Sequence, residues 1–146
     1  MIPKKPERQP ISPHKSKNNV SGIILAGGLS TRLGRDKSIE QIEHQTLLSR
    51  IHEKLLKITS DITVVVNTSE KAQKIPITNV EIVLDLYPNC GSLGGMFTGL
   101  SHAKQEWGLV VACDMPFINI QLIEKMLQLR TTHDAVVPYI NNFPEP

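Results

Sequence analysis

Short apolar runs alternate along this chain with stretches whose apolar residues recur at helical spacing. The runs at 22–26, 62–66, 80–84, 108–112 and 135–137 are rich in Val and Ile. Continuous apolar runs of this length predict strands of a parallel sheet covered on both faces. Between them, 46–58 places Leu47, Leu48, Ile51, Leu55 and Ile58 on one stripe, with Thr46 as its N-cap. A shorter helix is expected over 94–103. A third is expected over 120–129, from Ile120, Ile123, Met126 and Leu127. Trp107 is expected to precede the fourth strand and pack. Strand–helix alternation of this kind predicts right-handed crossovers and an α/β fold built on a doubly wound, mostly parallel sheet.

Composition narrows the class. The chain has 146 residues, 40% hydrophobic and 21% charged, which suits a single domain with its own core. Residues 1–19 hold Pro3, Pro6, Pro10 and Pro13 among Lys, Ser, Asn and Gln, so they read as a disordered tail before a domain over 20–146. That tail carries Lys4, Lys5, Arg8, Lys15 and Lys17 against Glu7, a surplus of four cations. Since the whole chain is +2, the domain itself is near −2, an unsuitable surface for nucleic acid. Aromatics are only 4%, which argues against base-stacking platforms. No stretch has the ~20 apolar residues of a membrane helix, and the start has no apolar signal segment. Cys90 and Cys113 form no C-x-x-C pair and are expected to be reduced and packed, in a cytoplasmic protein.

The densest chemistry lies where the first strand runs into Gly27-Gly28-Leu29-Ser30-Thr31-Arg32-Leu33-Gly34-Arg35-Asp36-Lys37. Glycines let backbone N–H groups turn toward an anion, and long cations such as Arg32 and Lys37 can close over it. The loop therefore predicts a bound polyphosphate, hence a nucleotide. It is not a P-loop: five residues separate Gly28 from Gly34, and Arg35 follows. The G-x-G-x-x-G pattern is absent as well.

In open α/β sheets, ligands bind beyond the carboxyl ends of the strands. The second run ends in Asn67, the third in Asp85 and the fourth in Asp114, so four successive strands deliver polar groups to one edge. Asn and Asp also favour strand exits as turn-formers, which is the competing reading of Asn67 and Asp85. Asp114 closes a run, Val110-Val111-Ala112-Cys113-Asp114, that reads as buried and is followed closely by Pro116. Its carboxylate can hold Mg²⁺ together with substrate phosphates, or it can cap the helix after Pro116. A second glycine-rich stretch, Asn89 to Met96, either brings backbone near a ligand or is a plain loop-to-helix turn. His14, His44, His52, His102 and His133 show no metal spacing, and no serine sits in a G-x-S-x-G elbow.

Together these stretches resemble the molybdenum cofactor guanylyltransferase (MobA) family of nucleotidyltransferases. The resemblance rests on Leu25-Ala26-Gly27-Gly28, then Ser30-x-Arg32-x-Gly34-x-Asp36-Lys37, Asn67, Asp85, Gly91-x-Leu93-x-Gly95 and Cys113-Asp114-Met115-Pro116-Phe117, over about 20–146. It implies a Rossmann-like nucleotidyltransferase fold and transfer of GMP from GTP to molybdopterin or its molybdenum-loaded form, with release of pyrophosphate. It also implies that Leu25, Ala26, Gly27 and Gly28 line the nucleotide with backbone, and that Lys37 and Arg32 bind its phosphates. Asn67 and Asp85 would lie at the guanosine, and Asp114 would bind Mg²⁺. The attacking group is itself a phosphate, so no protein base is required. Ser92 stands where the family usually has proline, and the loop around Gly34-Arg35-Asp36 is slightly shorter than in some members. Family members continue past Pro146 with a part that usually carries acceptor contacts, so the resemblance implies a C-terminally truncated domain with apolar surface left exposed near the last strand. Two alternatives stand beside this expectation: a related nucleotidyltransferase using CTP or a sugar phosphate, and a nucleotide-binding protein without turnover.

Overall fold

A computed structural model of the chain describes residues 19–28, 41–42, 44–115, 117–140 and 143–144. Residues 1–18 of the expected tail and the loop 29–40, which carries Arg32, Gly34 and Lys37, lie outside the described residues. In chain order the elements are β1 (Val20–Leu25), β2 (Gln41–Ile42), β3 (Gln45–Thr46), α1 (Leu47–Leu55), β4 (Asp61–Val66), α2 (Ser69–Gln73), β5 (Glu81–Leu84), a 3₁₀ turn (Pro88–Cys90), α3 (Gly91–Ser101), β6 (Trp107–Ala112), α4 (Ile120–Leu129), β7 (Tyr139–Ile140) and β8 (Phe143–Pro144). Among the described residues, no helix is long and apolar enough to cross a membrane.

Four strands form one parallel sheet in the order β5-β4-β1-β6. The register aligns Leu25 with Val65 and with Ala112, and Val66 with Leu84. Alternate residues of each strand point to opposite faces. On one face Ile24, Ala26, Val64 and Val66 meet Leu48, Ile51 and Leu55 of α1 and Ile123 of α4. On the other, Ile23 and Val65 lie under α3. Helices therefore cover both faces, and the doubly wound parallel sheet expected from the sequence is present.

α1 forms as its stripe predicts. Leu47, Leu48, Ile51, Leu55 and Ile58 are all buried. Thr46 Oγ1 accepts from the Ser49 amide at 3.1 Å, capping the helix. Its last predicted residues, 56–58, are a turn rather than helix. α3 is seated differently. It presents glycines, not an apolar stripe, to the sheet: a Cβ on Gly99 would lie 2.3 Å from Ile23 Cγ2 and 3.2 Å from Val65 Cγ2. At the amino edge of the sheet, Ser21 Oγ donates to Asp61 Oδ1 and accepts from the amides of Lys104 and Gln105. One hydroxyl thus ties β1, β4 and the α3–β6 loop together.

Several expectations are corrected. Only the inner strands β1 and β4 are buried along their length. β5 alternates half-buried and exposed residues, and of the run from Val110 to Asp114 only Val111 is buried. Among the described residues, the outer strands pair on one side alone, which sequence runs do not reveal. Residues 135–137 form no strand; Ala135 and Val137 are exposed, and the chain turns into the β7–β8 hairpin instead. The run is three residues long, and Pro138 follows with no amide to donate. α2 was missed because its five residues bury nothing; Thr68 Oγ1 holds it by accepting from the Lys71 amide. Trp107 is the first residue of β6 and is half-buried, and α3 begins three residues before the expected 94. Exposed apolar side chains near the carboxyl end of the described chain include Phe117, Val137 and Tyr139.

The close seat of α3 gives a direct test. Gly99→Ala should lower stability by about 1–3 kcal/mol through overpacking against Ile23, despite alanine's helix preference of about 1 kcal/mol over glycine. A urea midpoint equal to or above that of the parent protein would show that α3 does not press on Ile23.

Candidate functional site at the carboxyl edge of the sheet

Three backbone hydrogen bonds carry the ladder past the strand ends. The Ala26 amide donates to Val65 O at 2.8 Å, the Asp85 amide to Val66 O at 2.7 Å and the Cys113 amide to Leu25 O at 3.0 Å. Because all four strands run parallel, Ala26-Gly27, Asn67, Asp85 and Cys113-Asp114 leave the sheet side by side. The exit of β1 passes close to that of β4: a Cβ on Gly27 would sit 3.3 Å from the Asn67 amide nitrogen. Asn67 is half-buried there.

The chain leaves β1 toward β4 and β5, then returns to the far side of β1 with β6. The direction of winding reverses between β1 and β6, and such a switch point opens a crevice at the carboxyl edge. The glycine pair Gly27-Gly28 and Asp114 flank that crevice. Asp85 leaves β5, two strand spacings from β1 and three from β6, about 10 and 14 Å at the usual separation. The edge therefore runs from Asp114 on β6 to the glycine pair, to Asn67 beside that pair, and to Asp85 at the far side.

Asp85 does serve its turn, as the competing reading has it. Its Oδ1 accepts from the Tyr87 amide at 2.9 Å and from the Thr98 hydroxyl at 3.1 Å. Asp114 does not cap a helix. Asn119 caps α4, its Oδ1 accepting from the Leu122 amide at 3.1 Å. The exposed Asp114 carboxylate is therefore not the cap of α4. A single carboxylate at a phosphate loop suits Mg²⁺, which keeps several waters and binds substrate phosphates as its other ligands. Among the described residues there is no group of three or more His, Cys, Asp or Glu able to form an all-protein metal cage.

The second glycine stretch is a loop-to-helix turn. Gly91 has φ +58°, and Gly94 packs so closely that a Cβ would lie 2.2 Å from Tyr87 O. α3 starts at the same edge, and its N-cap residue Cys90 makes no side-chain capping bond. Cys90 is exposed and Cys113 half-buried, both free thiols, so the expected packing fails for Cys90. His52 and His102 stay outside the site. Burial holds the His52 imidazole below its usual pKa, with Glu53 opposing, but His52 belongs to the body of α1. His102 Nδ1 lies 2.9 Å from Thr98 O at the end of α3. Sequence reasoning missed Asn119, although an Asn just before a helical stripe is a common N-cap signal. It also missed Thr98, whose pairing with Asp85 spans 13 residues.

The Asn119 cap is measurable. Asn119→Ala should cost about 1 kcal/mol of stability. Parental stability of Asn119→Ala in thermal or urea unfolding would show that Asn119 does not hold the start of α4.

Known proteins share this sequence pattern and fold. Residues 22–146 match the MobA-like NTP transferase domain. A probable molybdenum cofactor guanylyltransferase of Natranaerobius thermophilus is 33% identical over 133 residues, covering 88% of this chain and 64% of the relative. One from Bacillus cytotoxicus is 29% identical over 131 residues, covering 88% and 66%. Thus the chain spans about two thirds or less of the length of these relatives. The crystal structure of molybdopterin-guanine dinucleotide biosynthesis protein A from Archaeoglobus fulgidus superposes with a TM-score of 0.68 at 26% identity, over 86% of this chain and 64% of that one. A CMP:2-keto-3-deoxy-manno-octonic acid synthetase structure shares the fold, with a TM-score of 0.67 at 16% identity. With the parallel sheet, the glycine exit and the family match over residues 22–146 in agreement, this chain belongs to the MobA-like NTP transferase domain family.

Proposed function

We propose that this chain carries the nucleotide-handling edge of an enzyme that transfers GMP from GTP to molybdopterin or its molybdenum-loaded form, releasing pyrophosphate and forming a guanine dinucleotide. The observation that supports it most is the alignment of Ala26-Gly27, Asn67, Asp85 and Cys113-Asp114 along one sheet edge, with the glycine pair and Asp114 at the switch point. The names of the relatives supply the reaction.

The triphosphate lies at the glycine pair, where backbone of Leu25, Ala26, Gly27 and Gly28 takes the nucleotide and its phosphates. Lys37 and Arg32, outside the described residues, add positive charge over those phosphates. Asn67, beside the glycine pair, and Asp85, on the strand farthest from Asp114, take the guanosine. Asp114 is the Mg²⁺ ligand; the bound ion would neutralise charge developing on the phosphates. The acceptor's terminal phosphate is ionised at neutral pH and attacks the α-phosphorus of GTP. One P–O bond forms, the bond between the α- and β-phosphates breaks, and the electron pair leaves with pyrophosphate. The chain's work is to position the two phosphates and to balance their charge. A cytoplasmic setting suits two free thiols.

Pyrophosphate release with Mg²⁺, molybdopterin and GTP, compared with CTP and ATP, tests the reading. Release should require GTP, and Lys37→Ala and Asp114→Ala should each cut turnover by at least ~10²-fold. Preference for CTP would overturn the substrate assignment. GTP binding without release would leave a nucleotide-binding protein. Parental turnover in either variant would remove that residue from the machinery.

A further inference from the structure

We infer that Thr98 is a positioning residue: its buried hydroxyl locks the Asp85 carboxylate in the one orientation that offers a free oxygen to the nucleoside. The inference rests on the reading that Asp85 meets the guanosine.

The observations are geometric. Thr98 is fully buried on α3. Its hydroxyl accepts from the Leu86 amide at 3.0 Å and donates to Asp85 Oδ1 at 3.1 Å. The Tyr87 amide donates to the same oxygen at 2.9 Å. Both donors fall on Oδ1, and among the described residues Oδ2 accepts no hydrogen bond. Oδ2 lies beside Gly95 in the first half of α3, 3.7 Å from where a Cβ would be. A carboxylate held by one donor can still swing about it. Two donors converging on one oxygen from different directions remove that freedom. A single Oδ2 is then presented in a fixed direction, as an acceptor for a ligand N–H or O–H.

The neighbourhood is built to keep the donors in place. Tyr87 is pinned from behind, since Gly94 packs so closely on its carbonyl that no side chain fits. Its ring meets Phe97 edge-to-face, with centroids 5.5 Å apart. α3 itself is pressed onto the sheet at Gly99, one residue after Thr98. The seat of the helix therefore fixes the hydroxyl, and the hydroxyl fixes the carboxylate. A nucleoside arriving at Asp85 finds the acceptor already oriented and does not pay the ordering cost.

The test uses the full chain with Mg·GTP as the probe, read by calorimetry, and Asp85 side-chain three-bond couplings in the ligand-free protein. Thr98→Val keeps the shape and removes the hydroxyl. It should average the Asp85 rotamer and weaken GTP about 3- to 10-fold, the scale of ordering one side chain. Thr98→Ser keeps the hydroxyl and should restore both. Should Thr98→Val fail to fold, Thr98→Ala removes the same hydroxyl without its branched methyls. Asp85→Asn retains an acceptor at Oδ1, loses the one at Oδ2, and should weaken GTP at least as much. A single Asp85 rotamer in Thr98→Val, or equal losses in Thr98→Val and Thr98→Ser, would overturn the inference. So would parental affinity in Thr98→Val beside a loss in Asp85→Asn, which would leave the assignment of Asp85 standing. Parental affinity in Asp85→Asn would instead remove Asp85 from the nucleoside site, and the inference with it.

Discussion

Parallel pairing on both sides of β1 is the constraint from which the site follows. Parallel strands must all exit at the same edge, and each needs a crossover to begin again at the other. Once β4 and β6 flank β1 with Leu25 level with Val65 and Ala112, the next residues of each strand have little choice of place. The Ala26, Asp85 and Cys113 amides extend the ladder by one more rung. Glycine backbone, an amide side chain and two carboxylates thus come into line through the pairing of the strands that carry them. The winding reversal beside β1 then separates a phosphate end from a nucleoside end.

The second constraint is the absence of side chains where α3 meets the sheet. Gly99 allows the helix to approach Ile23 and Val65 more closely than any Cβ would permit, and Gly94 lets Tyr87 lie against its start. Packing of this kind leaves little slack, and buried interiors transmit displacement. The consequence reaches the functional edge through Thr98, which ties α3 to Asp85. Core geometry and ligand geometry are therefore joined at one residue, on the side of the edge away from the switch point. At the switch point Asp114 is exposed, and α4 takes its cap from Asn119.

What the sequence disclosed follows from what burial imposes. β1, β4 and the α1 stripe were legible because full burial demands uninterrupted or 3.6-spaced apolar residues, and Ile24, Val64 and Ile51 obey that demand. The residues after each strand were legible because a parallel sheet assigns them a place. β5 and β6 look like inner strands by composition, yet lie at the sides of the sheet among the described residues; strand order is not written in local periodicity. α2 has no apolar face, and α3 buries itself by glycine, so neither shows the expected periodicity. Asp114 and Asn119 are equivalent as cap formers by residue type, and only the observed bond to the Leu122 amide separates them. The tie between Thr98 and Asp85 joins two elements across a turn, beyond what spacing can show. Arg32 and Lys37 rest on the sequence alone.

Amide resonances of the full chain, followed while Mg·GTP is added, test the central claim most directly. If the strand exits form one nucleotide site, the shifts concentrate at Ala26, Gly27, Gly28, Asn67, Asp85, Cys113 and Asp114, and saturate together. Shifts confined to one exit, or centred on elements away from this edge, would contradict the account: the aligned polar residues would then be strand terminators rather than a site.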